Sequence, residues 1–448
     1  MITNEAGEYS FLTEQEFSLL IKDRFDYESE KGTELQEKNF IYRGARQEFF
    51  DRYVEVLRRS KAHLLMGTSL HIFVLTTGCN LQCIYCQAQT GDRADFGMMS
   101  FETAERAVDF AFQSPGKYLT FEFQGGEPLL NFSTLRHIVT YAEENKKDRD
   151  IQYCLVSNLI CLNEEVLEFI KKYGVNVSTS LDGDEYTHNT NRPFYHGGNS
   201  YQIVVRQMQY LKGNGIPVGA IQTTSQNSLK HVEEIVTSYV VNGLDTIFLR
   251  PLTPLGCAAG DWDKIGYTPE QFVDFYKTAF SYIININRKG TRLVEGHASI
   301  LLSRILGVDT PNYMELRSPC GATLGQIAYY YNGEIYTCDE GRMYGEMGND
   351  AFRLGNVYED TMDSISCSPI CKAAMASSFL ESIPECCDCV YHPYCGTCPV
   401  LNLALEQDIF PSVNNYKCRI YKGILDVLFG YLKENDPQVI DIFMSWVC

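Results

Sequence analysis

The chain has 448 residues, with 38 basic and 57 acidic side chains and a net charge of −19. At ~150 residues per domain, that length makes two or three domains with ample core. A surface this acidic repels phosphate backbones and anionic lipid, which sets nucleic acid and membranes aside as partners. Seventeen cysteines are the more telling count. Met1-Ile2-Thr3-Asn4-Glu5 lacks the positive start and apolar run of a signal peptide, and no stretch approaches the ~18 apolar residues of a membrane span. The expectation is a cytoplasmic chain with reduced thiols, whose cysteines serve as metal ligands or catalytic groups rather than as a disulfide framework.

Residues 1–66 are charged and mostly helical in period, apart from a strand-like Glu8-Tyr9-Ser10-Phe11-Leu12. Thr13 as N-cap and Glu16 three residues later form a capping box that opens a helix through about Ile21. From residue 70 the pattern alternates. Strands are predicted at 70–76, 118–124, 151–157, 174–181, 217–223 and 245–250, with helices near 100–113, 132–146, 163–172, 200–212 and 229–241. Strand starts every ~25–50 residues are the spacing of βα units and imply a parallel sheet. Six units are too few for an eight-stranded barrel, which leaves a partial barrel or an open sheet. Either way the active site belongs at the C-terminal ends of the strands. After 255 the periodicity weakens, with one more helix at 270–287. The cysteine-dense stretch 320–418 has too little regular apolar pattern to fold on its own core, so metal clusters are expected to organise it.

The strand at 70–76 runs into Cys79-x3-Cys83-x2-Cys86. Three thiolates in one short loop, with no fourth Cys near, fit three corners of an iron–sulfur cubane with one open iron. An open coordination position marks catalytic rather than structural metal. A zinc site completed by a distant ligand is the structural alternative.

This motif, with the aromatic Tyr85 before the last Cys, resembles that of the radical S-adenosylmethionine (SAM) enzymes. Further landmarks follow in order, each at a strand end: Gly125-Gly126-Glu127-Pro128, Ser157-Asn158, Ser180-Leu181-Asp182-Gly183 with His188-Asn189-x2-Arg192, and Ile247-Phe248-Leu249-Arg250-Pro251. The resemblance implies a partial (β/α)6 TIM-like barrel in residues 67–300. It implies that Cys79, Cys83 and Cys86 hold a [4Fe–4S] cluster. SAM would be bound by Tyr85, Gly125, Gly126, Glu127, Ser157, Asn158, Ser180, Asp182, Arg192 and Leu249, with Glu127 at its amino group, Ser157-Asn158 at its ribose and Leu249 at its adenine. It also implies reductive cleavage of SAM to a 5′-deoxyadenosyl radical that takes a hydrogen from substrate.

Cys320-x12-Gly333-x4-Cys338, then Cys386-x2-Cys389-x5-Cys395-x2-Cys398 and Cys418, resembles the SPASM extension of peptide- and protein-modifying radical SAM enzymes. That resemblance implies a C-terminal auxiliary-cluster domain in residues 301–448 and two further [4Fe–4S] clusters. The distal one would use Cys386, Cys389, Cys395 and Cys418, the proximal one Cys320, Cys338 and Cys398. Pro399 stands where the family's sixth cysteine is usual, and the proximal set lacks a fourth thiolate. Cys257, Cys367, Cys371 or an open iron would complete it. The paired Cys-x2-Cys units are also zinc-ribbon spacing. Asp339, beside Cys338, corresponds to the general base of sulfatase-maturing relatives; pairing with Arg342 is the alternative. Cys154 and Cys161 read as small core residues, and Cys387 and Cys448 have no role.

Segments along the whole chain, among them Asn4-Glu5-Ala6-Gly7-Glu8, Leu70-His71-Ile72-Phe73-Val74, Phe248-Leu249-Arg250-Pro251-Leu252 and Arg353-Leu354-Gly355-Asn356-Val357, are similar to the maturase HxsB of His-Xaa-Ser systems. The implied substrate is a ribosomally made precursor peptide, with a paired second radical SAM protein and an electron donor such as flavodoxin or ferredoxin. Residues 1–66 would then be a small α+β domain, either a leader-binding winged-helix-like element or a cap on the barrel. The enzymatic alternative is a sulfatase-type formylglycine maturase; the non-enzymatic one is an iron–sulfur electron carrier.

Overall fold

In Tyr118–Gln124 apolar and polar residues alternate, and the two sets take different sides of the sheet. Leu119, Phe121 and Phe123 are buried with Ala107, Val108, Leu135 and Ile138 of the flanking helices, while Glu122 and Gln124 line a central cavity. The computed structural model describes residues 1–88, 96–307 and 313–447. Strands β1 (Ile2–Thr3) and β2 (Tyr9–Ser10) form a separate antiparallel ribbon. Strands β3 (Leu70–Val74), β4 (Tyr118–Gln124), β5 (Asp150–Val156), β6 (Asn176–Ser180), β7 (Val218–Thr224) and β8 (Thr246–Pro251) then pair in parallel, each with the next. These are the six predicted strands, in sequential order. Their connecting helices are Phe101–Ala111, Phe132–Asn145, Glu164–Tyr173, Ser200–Gly213 and Val232–Val241, close to the predicted spans. Side chains from β4 to β8 meet round one cavity, so the sheet curves into a partial barrel.

The sheet does not stop at six strands. Strand β9 (Val294–Glu295) lies parallel to β8 at one edge, and β10 (Gln326–Tyr329) lies parallel to β3 at the other. Strands β11 (Glu334–Tyr336) and β12 (Arg353–Asn356) continue from β10 in antiparallel fashion, making a ten-stranded sheet. Part of the cysteine-dense stretch therefore borrows the barrel's hydrogen-bonding edge rather than depending on metal alone. Beyond it, helix Tyr416–Glu434 buries Ile420, Ile424, Leu428 and Leu432 at four-residue spacing in the core shared with helix Pro269–Arg288. Helix Pro437–Val447 adds Phe443 and Trp446 to the same core.

Thr13 and Glu16 form the predicted capping box, and the helix it opens runs Glu14–Ile21. Two more helices, Glu30–Glu37 and Arg46–Ser60, complete the N-terminal segment. Its ribbon is seated on the C-terminal region. Tyr9 and Phe11 meet Phe429 edge-on with centroids 5.2 and 6.4 Å away, and the Tyr394 hydroxyl donates to the Gly7 carbonyl at 2.8 Å. Among the described residues no helix is long and apolar enough to cross a membrane.

Candidate active site

The cysteine loop after β3 is clamped by the backbones around it. At the end of β4, the Gly126 amide donates to Thr76 O and the Glu127 amide to Gly78 O, both at 2.8 Å. Gly125 has φ +145°, and a Cβ there would lie 2.4 Å from Thr76 O, so this contact requires glycine. The Gln82 and Ile84 amides donate to Pro193 O and Asn191 O, and Asn158 Nδ2 donates to Asn80 Oδ1 at 2.7 Å. Cys79, Cys83 and Cys86 thus line one end of the cavity, which has a volume of about 480 Å³.

Glu127 is 1% exposed and does not line the cavity. Its carboxylate accepts from Ser157 Oγ and the Asn158 amide at 2.8 Å and from the Leu129 amide at 3.0 Å. Burial nevertheless pushes its pKa up to about 7. It acts as a bracket: Gly125, Gly126, Ser157 and Asn158 face the cavity around it, and Ser180 lines the wall beyond.

A second knot lies behind the loop. Asp182, fully buried, receives the Tyr85 hydroxyl and, at 3.2 Å, the Thr223 amide. Arg192 Nε stands 3.2 Å from Asp182 Oδ2, its guanidinium lies 5.3 Å from the Tyr85 ring centre, and its Nη1 donates to Cys83 Sγ at 3.8 Å. Burial opposes the Arg192 charge, but Asp182, Tyr85 and Cys83 more than offset that and hold its pKa above the usual value. Tyr85 and Arg192 line the cavity, with Asp182 behind them. Leu249 does not reach it. Strand alternation puts Leu249 in the hydrophobic core, its amide donating to Glu295, and gives the cavity Arg250 instead.

Cys320, Cys338 and Cys398 line the other end of the same cavity. Their thiols neighbour one another: burial, Glu340, Cys398 and Cys320 all raise the Cys338 pKa. Cys386, Cys389, Cys395 and Cys418 gather separately, outside the cavity; burial, Cys418, Cys389 and Cys386 push Cys395 up to about 12. Cys257, Cys367 and Cys371 do not line the cavity either. Cys154 and Cys161 are half-buried, and Cys161 Sγ accepts from Asn80 Nδ2 on the cysteine loop at 3.3 Å. Cys448 lies outside the described residues.

Asp339 faces the cavity and is ion-paired with Arg342, whose side chain is 1% exposed and also binds Glu346 at 2.9 Å. Sequence reasoning passed over Glu122, Glu315, Glu340, Arg250 and Lys417, which share the chamber. Arg250 pairs with Glu315 at 2.9 Å, and burial with Glu315 and Asp339 pushes Glu340 up to about 7. The period-two pattern of Tyr118–Gln124 was the available signal for Glu122.

The thiol groupings fit iron–sulfur clusters. Each set is sulfur-only, the donor set of iron–sulfur clusters, and burial pushes Cys83 up to about 12 against the pull of Arg192, so it stays a neutral thiol until a metal takes the proton's place. Among the described residues no group of three or more His, Cys, Asp or Glu side chains is close enough to hold a single metal ion. Thiols at the corners of a cubane stand farther apart than thiols on one ion.

Residues 73–236 match the radical SAM superfamily. An uncharacterized protein of Methanocaldococcus jannaschii is 34% identical over 183 residues, 41% of this chain and 62% of that protein, so less than two thirds of that relative is spanned. A cysteine-type anaerobic sulfatase-maturating enzyme of Clostridium perfringens is 25% identical over 378 residues, covering 81% of this chain and 97% of that enzyme. Among solved structures, anSMEcpe with bound AdoMet superimposes at a TM-score of 0.71 and 22% identity, over 85% of this chain and 98% of that one. SuiB of Streptococcus suis bound to precursor peptide SuiA gives 0.59 at 17% identity, over 90% and 89%. These two likenesses are of fold. The cysteine loop after β3 therefore lies within the segment that matches the radical SAM superfamily, in a fold shared with anSMEcpe and SuiB.

Proposed function

We propose that this chain binds SAM on a [4Fe–4S] cluster held by Cys79, Cys83 and Cys86, and uses it to modify a ribosomally made precursor peptide by crosslinking or oxidation of a side chain. The observation that carries this reading is the shared cavity. Its volume of about 480 Å³ falls in the range of small-ligand sites, and both cysteine triads line it, with Asp339 beside the second. When bound, the SAM-ligated cluster supplies one-electron cleavage of the sulfonium and a carbon radical that takes a hydrogen atom from substrate.

The chain's own residues do the positioning. Gly125, Gly126, Ser157, Asn158 and Ser180 form the SAM-facing wall, with Glu127 fixing Ser157 and Asn158 from behind. Tyr85 and Arg192, tied to Asp182, set the loop that carries Cys83. Asp339 accepts the substrate proton at a carboxylate oxygen, and Arg342 holds that carboxylate in place. Cys320, Cys338 and Cys398 take the proximal auxiliary cluster and Cys386, Cys389, Cys395 and Cys418 the distal one. An electron donor such as flavodoxin or ferredoxin and a paired second radical SAM protein complete the reading, which is nearest the HxsB subgroup. Residues 1–66 are the candidate leader-binding element.

A sulfatase-type maturase is the second reading, favoured by the 25% identity that runs over 97% of the sulfatase-maturating enzyme of Clostridium perfringens. Incubation of the reconstituted chain with SAM, reductant and each of two peptides separates them by mass spectrometry. One peptide is the product of any short reading frame that sequencing of the gene's surroundings reveals; the other carries a sulfatase-type cysteine. A modified product from the first alone is the expected result, formylglycine from the second supports the maturase reading, and no change in either overturns both.

A further inference from the structure

Past β8 the chain runs into a short segment, Leu255–Cys257, that touches both cavity-lining cysteine sets. On one side the Cys257 amide donates to the Cys86 carbonyl at 2.9 Å. Gly256 has φ +60°, and a Cβ on it would lie 2.5 Å from Gln87 O and 2.6 Å from Cys86 O. Only glycine lets the two backbones lie this close. On the other side the Gly256 amide donates to Met347 Sδ at 3.2 Å. Met347 ends the helix Asp339–Glu346, whose N-cap is Cys338. Leu255, fully buried, shares an apolar cluster with Cys320, Cys338, Phe352 and Val400, against which Met347 and Cys398 pack. The segment is also pinned upstream: the Leu252 amide donates to the Tyr267 hydroxyl, and the Leu252 carbonyl accepts from the Tyr416 hydroxyl at 3.0 Å.

We propose that Leu255–Cys257 is a positioning strap that holds the Cys79–Cys86 loop in register with the Cys320–Cys338–Cys398 set, through the backbone of Gly256 and Cys257 and the thioether of Met347. The inference rests on the reading that the Cys79–Cys86 loop carries the SAM-binding cluster. The strap fixes where the Cys86 carbonyl, and with it the third thiol, sits relative to the far end of the cavity. A displacement of even an ångström at a reacting centre is costly. Neither Gly256 nor Met347 lines the cavity, so both act through the loop and not on substrate.

The test uses the full chain, reconstituted without oxygen, as wild type, Gly256→Ala and Met347→Leu. Four quantities are read: iron per chain, the melting curve, the SAM dissociation constant, and the change that SAM causes in the electron paramagnetic resonance spectrum of the reduced protein. Gly256→Ala is expected to melt lower, because its Cβ pushes the two backbones apart, and once loaded with iron to bind SAM at least about tenfold more weakly with a diminished spectral change. Met347→Leu keeps the volume and removes only the acceptor, so the expected weakening is smaller, about two- to fivefold in the same direction. If Gly256→Ala fails to load iron, Met347→Leu decides. Wild-type affinity and spectrum in the iron-loaded Gly256→Ala, or in Met347→Leu where that variant decides, overturn the strap. An iron-loaded wild type with no SAM-dependent spectral change overturns the underlying reading as well, and that outcome is recognised without any substitution.

Discussion

Replacing Asp182 by Asn removes the carboxylate on which Tyr85, Thr223 and Arg192 converge. The pair is largely shielded from bulk solvent: Asp182 is fully buried and the Arg192 side chain is 12% exposed. Breaking a buried pair from one side costs about 3–5 kcal/mol, because the surviving charge is left without a partner. The asparagine oxygen still accepts one of the bonds, so the expected loss for Asp182→Asn is at the low end, about 3 kcal/mol. Arg192→Gln leaves the carboxylate uncompensated and costs about the same. The double variant leaves neither charge behind, so its loss falls short of the sum of the two singles by about 2 kcal/mol. Anaerobic urea unfolding of the four proteins at one ionic strength measures this cycle. A loss under about 1 kcal/mol in either single variant, or additivity within about 0.5 kcal/mol, refutes the buried-pair argument.

Three further outcomes follow from the geometry. His71 is fully buried between the Tyr329 hydroxyl at 2.9 Å and Ser114 Oγ at 3.3 Å, and burial pushes its pKa down to about 3. Its folded value lies below the unfolded one of about 6.5, so the stability is present above pH 6.5 and is lost as the pH falls toward 3. At pH 4.5 the loss is about 3 kcal/mol, and a His71→Gln variant should show a correspondingly flatter decline from pH 6.5 to 4.5 in chemical unfolding. Gly125→Ala drives a Cβ to 2.4 Å from Thr76 O at a φ of +145°, so thermal unfolding should report a destabilisation of about 3 kcal/mol. Asp339→Asn should leave SAM cleavage within about threefold of wild type while peptide product falls about 10²- to 10⁴-fold. Equal losses in both assays would make Asp339 a structural partner of Arg342 instead.

The six barrel strands were legible because each spans at least five residues and all but β7 end on a motif, so that period and punctuation agree. Strands β9 to β12 were not, since two to four residues carry no alternation, and the pairs that join them to the barrel, β10 with β3 and β9 with β8, link segments distant in sequence. Spacing alone does not give the grouping of the cysteines, since Cys395 and Cys398 share one Cys-x2-Cys unit yet fall in different sets. What the spacing hides is how the side chains divide between cavity and support. Glu127 and Asp182 sit in the expected motifs but turn inward to hold Ser157, Asn158, Tyr85 and Arg192. Leu249 lies one strand position from Arg250 and therefore on the opposite side of the sheet. Glu315, Glu340 and Lys417 come from segments with no shared sequence pattern, and only the closed chamber brings them together.

The central claim is that Cys79, Cys83 and Cys86 carry a cluster that cleaves SAM. The direct measurement is 5′-deoxyadenosine formed when the chain, reconstituted without oxygen to about ten to twelve irons, is given SAM and dithionite. The account predicts product from wild type and none from the variant with all three cysteines changed to Ala. A fully loaded, reduced wild type that forms no 5′-deoxyadenosine, or a triple variant that forms as much as wild type, would contradict it.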